Sequence, residues 1–382
     1  MKRILFFIVF IFMVTSCNDE DILEKNAQLI QAAKDSNLPA VKTALAKGAD
    51  VNAKNENGQT ALMMAVGNGN MEVAKLLLEK GADVNAKDTI NGATALLWAV
   101  GMRRTEIVKA LLENGADVNA RDNKDVTALW IAAEKGNTEI VRLLLEKGAD
   151  VNTRDATYGN TALILAAMNG HTDTVKSLLE KGADVNARNK DGITALMWLA
   201  DQTEIEKLLL EKDVDVNVWD TNDIAVLWVS AYKGYTEVVR SLLEKGVEVN
   251  TKDSRERTAL IMAAENGHTE IIRLLLEKGA DVNARNSYGV TALIMAAGEG
   301  HKEAVKLLLE KGTDANEKDT THGATALLWA VRNGRKEAVK LLLEYGADAN
   351  VMDNYGETAL AMAKGWGNQD IVQMLEKAGA KE

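Results

Sequence analysis

The chain has one cysteine, Cys17, and one proline, Pro39, among 382 residues, and its four phenylalanines (Phe6, Phe7, Phe10, Phe12) all lie in the first dozen positions. A single cysteine excludes an intramolecular disulfide and any cysteine-built zinc or iron-sulfur site. Basic residues are outnumbered, 45 against 56 acidic, for a formal charge of -11. That balance argues against a nucleic-acid binder, which needs a dense Lys/Arg stripe to neutralise phosphates. Long hydrophobic runs are also missing. The longest, Ile4 to Val14, has eleven residues, too few for a helix across a bilayer core that takes roughly 20. With 47% hydrophobic and 26% charged residues, the bulk of the chain is not disordered.

That apolar run follows Lys2 and Arg3 and gives way at once to Thr15, Ser16 and Cys17. A charged start, a short apolar stretch and small residues form a signal-peptide layout over residues 1–16. The order Val14-Thr15-Ser16-Cys17 resembles a bacterial lipobox, with Val14 in place of the more usual Leu. The resemblance implies a diacylglycerol thioether on Cys17, which becomes the mature N-terminus. Two or three long acyl chains, at about 0.8 kcal/mol per buried methylene, make such an anchor effectively permanent. Loss of Lys2 and Arg3 takes the formal charge from -11 to -13. Residues 17–25, with Asn18, Asp19, Glu20 and Asp21 after the cysteine, are expected to be an acidic tether. At roughly 3.3 Å per residue it reaches at most about 30 Å, so the folded part begins close to the membrane. The acidic stretch is similar to surface-export signals of some Gram-negative lipoproteins; a solvated spacer is the plainer reading.

The rest of the chain repeats. Val-Asn or Ala-Asn dipeptides end at Asn52, Asn85, Asn119, Asn152, Asn186, Asn217, Asn250, Asn283, Asn316 and Asn350, with spacings of 31, 33 or 34. Each period reads approximately Gly-x-Thr-Ala-Leu, a small and apolar run, Asn-Gly-His-Thr-Glu, an aliphatic stretch ending Leu-Leu-Leu-Glu-Lys, then Gly-Ala-Asp-Val-Asn-Ala. In one period Thr291, Leu293, Ala296 and Ala297 open a short helix that Gly300 breaks. A second helix spans Ala304 to Glu310 and is closed by Gly312, at the place where a left-handed residue commonly ends a helix. These residues resemble the ankyrin repeat over residues 26–380. The fold class implied is an all-α repeat solenoid of about eleven helix-turn-helix units with β-hairpin-like fingers. Its first unit is 26–57 and its last 356–380. Stacked helices lie 8 to 10 Å apart, so eleven units predict an arc on the order of 100 Å, with a concave side of fingers and first helices.

Departures from the family pattern carry expectations of their own. Thr-Ala-Leu replaces Thr-Pro-Leu-His in nearly every unit, which gives up the entropic benefit of proline at the first helical turn. Units of 34 carry their extra residue in the finger, as in Asp88 to Gly92, Asp155 to Gly159 and Asp319 to Gly323. The unit 192–222 is irregular: it lacks two residues near Ala200 to Thr203, has Asp213 where others have Gly, and precedes a unit with Ala225 for Thr. A weak interface divides a nearest-neighbour stack, so a flexible or unstable joint is expected there.

Catalytic patterns are absent: no phosphate loop, dinucleotide fingerprint, nucleophile elbow or His-Glu-x-x-His occurs. His171, His268 and His301 share one place in their repeats and read as helix-start residues rather than as metal ligands. No catalytic residue, metal or cofactor is therefore assigned. Trp98, Trp198 and Trp329 share one helix position, and Trp130 and Trp228 the adjacent one; all five are expected in the core. Binding candidates are the aromatics on fingers (Tyr158, Trp219, Tyr288, Tyr355), His322 on a fingertip, Tyr232 at the end of a first helix, Tyr235, and Arg103 with Arg104 in place of the usual turn residues. Exposed aromatics are the usual anchors of protein interfaces. The resemblance implies a monomeric scaffold, lipid-anchored in the cell envelope and facing the periplasm or the cell surface, that holds a protein partner through its concave face. A dedicated inhibitor or protector of one envelope enzyme or toxin is the alternative, and a secreted host-directed effector a remoter one.

Overall fold

The computed structural model describes residues 21–198, 203–217, 220 and 225–381. Cys17, the acidic Asn18 to Glu20, the turn residues 199–202 and Trp219 lie outside the described residues. Helix α1 runs through residues 21–34, so positions 21–25 are helical, and α2 (Leu38–Ala46) completes the first repeat. The chain divides into two compact units, Met1–Lys190 and Asp191–Glu382.

In the first unit, pairs of antiparallel helices follow at each repeat: α3 (Ala61–Asn68) with α4 (Met71–Glu79), α5 (Ala95–Gly101) with α6 (Thr105–Glu113), α7 (Ala128–Glu134) with α8 (Thr138–Glu146), and α9 (Ala162–Met168) with α10 (Thr172–Glu180). In the second, a 3-10 turn (Ala195–Trp198) and α11 (Thr203–Leu210) precede α12 (Val226–Lys233), α13 (Thr236–Glu244), α14 (Ala259–Glu265), α15 (Thr269–Glu277), α16 (Ala292–Glu299), α17 (Lys302–Glu310), α18 (Ala326–Arg332), α19 (Lys336–Glu344), α20 (Ala359–Gly365) and α21 (Gln369–Lys377). The pattern is the all-α repeat solenoid that the sequence implies.

The repeating threonine sets where each first helix starts. Thr60, Thr94, Thr127, Thr161, Thr258, Thr291, Thr325 and Thr358 cap α3, α5, α7, α9, α14, α16, α18 and α20, each hydroxyl accepting from the backbone N–H three residues on. First helices of seven or eight residues are too short to hold alone. They persist because most of their surface is covered: Ala162, Leu163, Ile164, Leu165, Ala166 and Ala167 of α9 are all buried. Second helices bury one stripe only, as Ile140, Val141, Leu144 and Leu145 of α8 show.

Consecutive repeats are stitched by the residues that define the period. The Asn52 carboxamide donates to the Gly81 carbonyl and accepts from Asp83 N. Asn85, Asn119 and Asn152 repeat the same pair of bonds, and so does Asn250 in the second unit. The histidines form another seam: Nε2 of His171, His268 and His301 lies 2.9–3.0 Å from the carbonyls of Glu134, Tyr232 and Glu265 in the preceding repeat. A Cβ on Gly136, at φ +65°, would come within 2.4 Å of the His171 ring, so that turn needs glycine both for its backbone and for its neighbour.

The irregular unit and its successor depart from this order in three places. Ala225 caps α12 without a side-chain hydrogen bond. A 3-10 turn occupies Ala195–Trp198. Glu206 is 3% exposed, and its Oε2 has no hydrogen-bond partner. Burial, reinforced by the nearby Glu237 carboxylate and opposed by the Ser241 hydroxyl, pushes the Glu206 carboxyl up to about 7.

Candidate protein-binding surface

Among the described residues, six of the fingers are hairpins closed by an isolated antiparallel bridge. Lys54 pairs with Thr60, Arg121 with Thr127 and Met352 with Thr358, whereas Lys87 pairs with Thr94, Arg154 with Thr161 and Lys318 with Thr325. The second set spans one residue more, so the extra residue of the 34-residue periods lies in the finger as expected. The side chain at the base of the finger replaces missing hairpin bonds: Asp88 Oδ1 accepts from the N–H groups of Ile90, Asn91 and Gly92.

Successive tips are joined by backbone hydrogen bonds. In the first unit the carbonyls of Asn57, Asn91, Lys124 and Tyr158 accept from the next finger. In the second, Ser287 N donates to Arg255 O (2.9 Å), Thr320 N to Tyr288 O (2.9 Å) and Asn354 N to His322 O (2.7 Å). The bonds bring Arg255, Tyr288, His322 and Tyr355 into one column, each at the same place on its finger. Tyr288 and Tyr355 are 53% and 70% exposed, and the His322 and Tyr355 rings lie 6.5 Å apart.

Trp329 stands behind this column. Its Nε1 donates to Asp319 Oδ2 (2.8 Å), His322 meets it edge-on at 5.5 Å, and the Arg332 guanidinium lies 5.5 Å from its ring centre. Arg255, Tyr288, Met295, His322 and Trp329 line a slot of about 360 Å³. The first unit has a counterpart: Trp98 Nε1 donates to Asp88 Oδ2 (3.2 Å), and Trp98 lines a groove of about 950 Å³ with Leu23, Ile30, Met64 and Met102.

These tryptophans correct the expectation that they belong to the core. Trp98 and Trp329 are half-buried and Trp198 is exposed, while of the other pair Trp228 is buried and Trp130 half-buried. The aspartate ten residues upstream, in the longer fingers of two of these repeats, is the sequence signal that marks Trp98 and Trp329.

The other candidates fall into two groups. Tyr158 is exposed on its tip in the first unit, as Tyr288 and Tyr355 are in the second, and Tyr232 is 42% exposed at the end of α12. Tyr235 is half-buried at the start of α13, at the place where His268 sits one repeat later. Arg103 adopts a left-handed φ of 56° and donates to the Lys135 carbonyl of the next repeat. The Arg104 guanidinium lies over Gly69 of the preceding one. Arg103 and Arg104 thus link repeats. Among the described residues no group of three His, Cys, Asp or Glu side chains could hold a metal ion, and no helix is long and apolar enough to cross a membrane.

Residues 1–18 match the family model for the prokaryotic membrane lipoprotein lipid attachment site. No curated protein matches the chain at a significant level. The model for ankyrin repeats (3 copies) matches five overlapping segments, 29–122, 120–189, 185–253, 227–319 and 314–381. With fingers, paired helices and seams recurring throughout those matched segments, the chain belongs to the ankyrin repeat family.

Proposed function

We propose that this protein is a lipid-anchored scaffold of the cell envelope that holds a partner protein along its fingers and first helices, with Cys17 bearing the lipid. Ankyrin repeats are in general non-enzymatic binding scaffolds, and the attachment site supports membrane anchoring. The observation that carries the reading is the column Arg255, Tyr288, His322 and Tyr355 beside the Trp329 slot. Two of its rings are more than half exposed, and backbone hydrogen bonds between successive fingers hold the column in line. Rigid aromatic side chains on hydrogen-bonded fingers bury large area at little entropic cost. The protein binds rather than catalyses, and it acts as a monomer.

The test is cross-linked capture from native membranes with the full chain and with a variant carrying Tyr288→Ala, His322→Ala and Tyr355→Ala together. Hot-spot residues contribute roughly 2 kcal/mol or more each, so the triple variant is expected to lose nearly all capture while its helicity by circular dichroism is unchanged. Equal capture by the two proteins would discard this face.

A further inference from the structure

Ile22 and Leu23 are adjacent large apolar residues near the N-terminal end of the described part of α1, 45% and 68% exposed. Successive helical residues are turned by about 100°, so Ile22 and Leu23 flank one side of the helix, and Glu24 points about 150° away from the direction midway between them. Leu23 begins a stripe continued by Ala27 and Ile30 along the edge of the first-unit groove. The polar neighbours are already engaged: Asp21 pairs with Lys25, and Glu24 accepts from Gln28.

Their distance from the anchor decides what they can meet. Five residue steps separate Cys17 from Ile22, a reach of at most about 18 Å even when fully extended. The pair is therefore confined within roughly three headgroup layers of the acyl chains on Cys17. Confinement replaces a bimolecular association by an intramolecular one at high effective concentration, so a small apolar surface suffices for lasting contact.

We propose that the described N-terminal end of α1 is a second membrane contact, with Ile22 and Leu23 entering the interfacial layer of the bilayer that holds the lipid on Cys17. The inference rests on the reading that Cys17 is lipidated. It assigns α1 a task beyond capping the repeat stack, since two points of attachment fix how the first repeats stand on the membrane. Asp19, Glu20, Asp21 and Glu24 favour a bilayer of zwitterionic headgroups over an anionic one.

The experiment uses the full lipidated chain in phosphatidylethanolamine/phosphatidylcholine vesicles. Because the lipid occupies the only native cysteine, the variants Ile22→Cys, Leu23→Cys, Glu24→Cys and Ile90→Cys each offer one thiol for an environment-sensitive fluorophore. Lipids brominated on the acyl chain are expected to quench positions 22 and 23 about twofold or more, as for groups lying 5–10 Å into the interface. Aqueous iodide is expected to quench positions 24 and 90 instead. Iodide quenching of position 23 equal to that of 24 would overturn the proposal. So would a position 23 shielded from iodide yet untouched by brominated lipid, which would mean that protein covers it. Palmitate incorporation, followed separately and abolished by Cys17→Ser in a control, reports the anchor itself. Its absence from the parent chain would fail both readings, whereas its presence with an aqueous position 23 fails this one alone.

Discussion

At the position of Glu206, seven other second helices carry Val108, Val141, Val175, Val239, Ile272, Val305 and Val339, all in the core. A carboxylate there loses its water and faces Glu237, and only Ser241 offsets the cost. Its carboxyl titrates at about 7 in the fold against an ordinary 4.5, so the folded protein binds this proton more tightly than the unfolded chain. Below pH 4.5 both states are protonated and the penalty vanishes. It grows as pH rises from there and is complete above pH 7, where the gap corresponds to about 3 kcal/mol. Glu206→Gln keeps the shape and removes the charge. Its urea midpoint is expected to exceed that of the parent at pH 8 and to converge with it at pH 4; coincident midpoints at both pH values would show that the parent carboxylate remains hydrated in the fold.

Among the helices, the clearest defect is the start of α12. Eight first helices begin on a threonine whose hydroxyl caps the third N–H on, whereas Ala225 offers no side-chain cap and the Trp228 N–H donates to the Ala225 carbonyl (3.1 Å) instead. Restoring a cap contributes about 1 kcal/mol, so Ala225→Thr is expected to raise the urea midpoint of the second unit without changing the helix content read by circular dichroism. A midpoint at or below that of the parent would mean that the hydroxyl does not reach the Trp228 N–H. The element pattern itself was legible in the sequence, because Thr-Ala-Leu and Leu-Leu-Leu-Glu-Lys carry local signals that short helices use directly. Finger length was legible too, since one inserted residue moves the bridge from Lys54 and Thr60 to Lys87 and Thr94. The tryptophans were not. Trp98 sits where an apolar stripe predicts burial, and only the folded finger brings Asp88 to its indole nitrogen. The inter-repeat contacts of Arg103 and Arg104 were not legible for a related reason: their partners lie about one repeat away, a distance that no local pattern reveals.

At the scale of the whole molecule, stability in a repeat stack is close to a sum of unit and interface contributions, so defects in one unit are not diluted by the rest. The irregular unit and its successor combine a 3-10 turn at Ala195–Trp198, the buried Glu206 carboxylate and the uncapped α12. Farther along, α14, α16 and α18 are fully capped. Together these differences amount to a few kcal/mol, which sets the free energy of local opening. Amides in α11 and α12 are therefore expected to exchange about 100-fold faster than those in α14, α16 and α18 at pH 8, after correction for intrinsic rates. The same defects should be repairable from within: Glu206→Gln and Ala225→Thr in one chain are expected to slow exchange in α11 and α12 and to leave α16 unchanged. The two substitutions lie in different repeats, so their effects should add. Protection that is uniform from α11 to α18 in the parent would remove the basis for a joint. Uniform slowing throughout the second unit in the double variant would instead make that unit a single cooperative block, in which a local carboxylate destabilises every repeat at once.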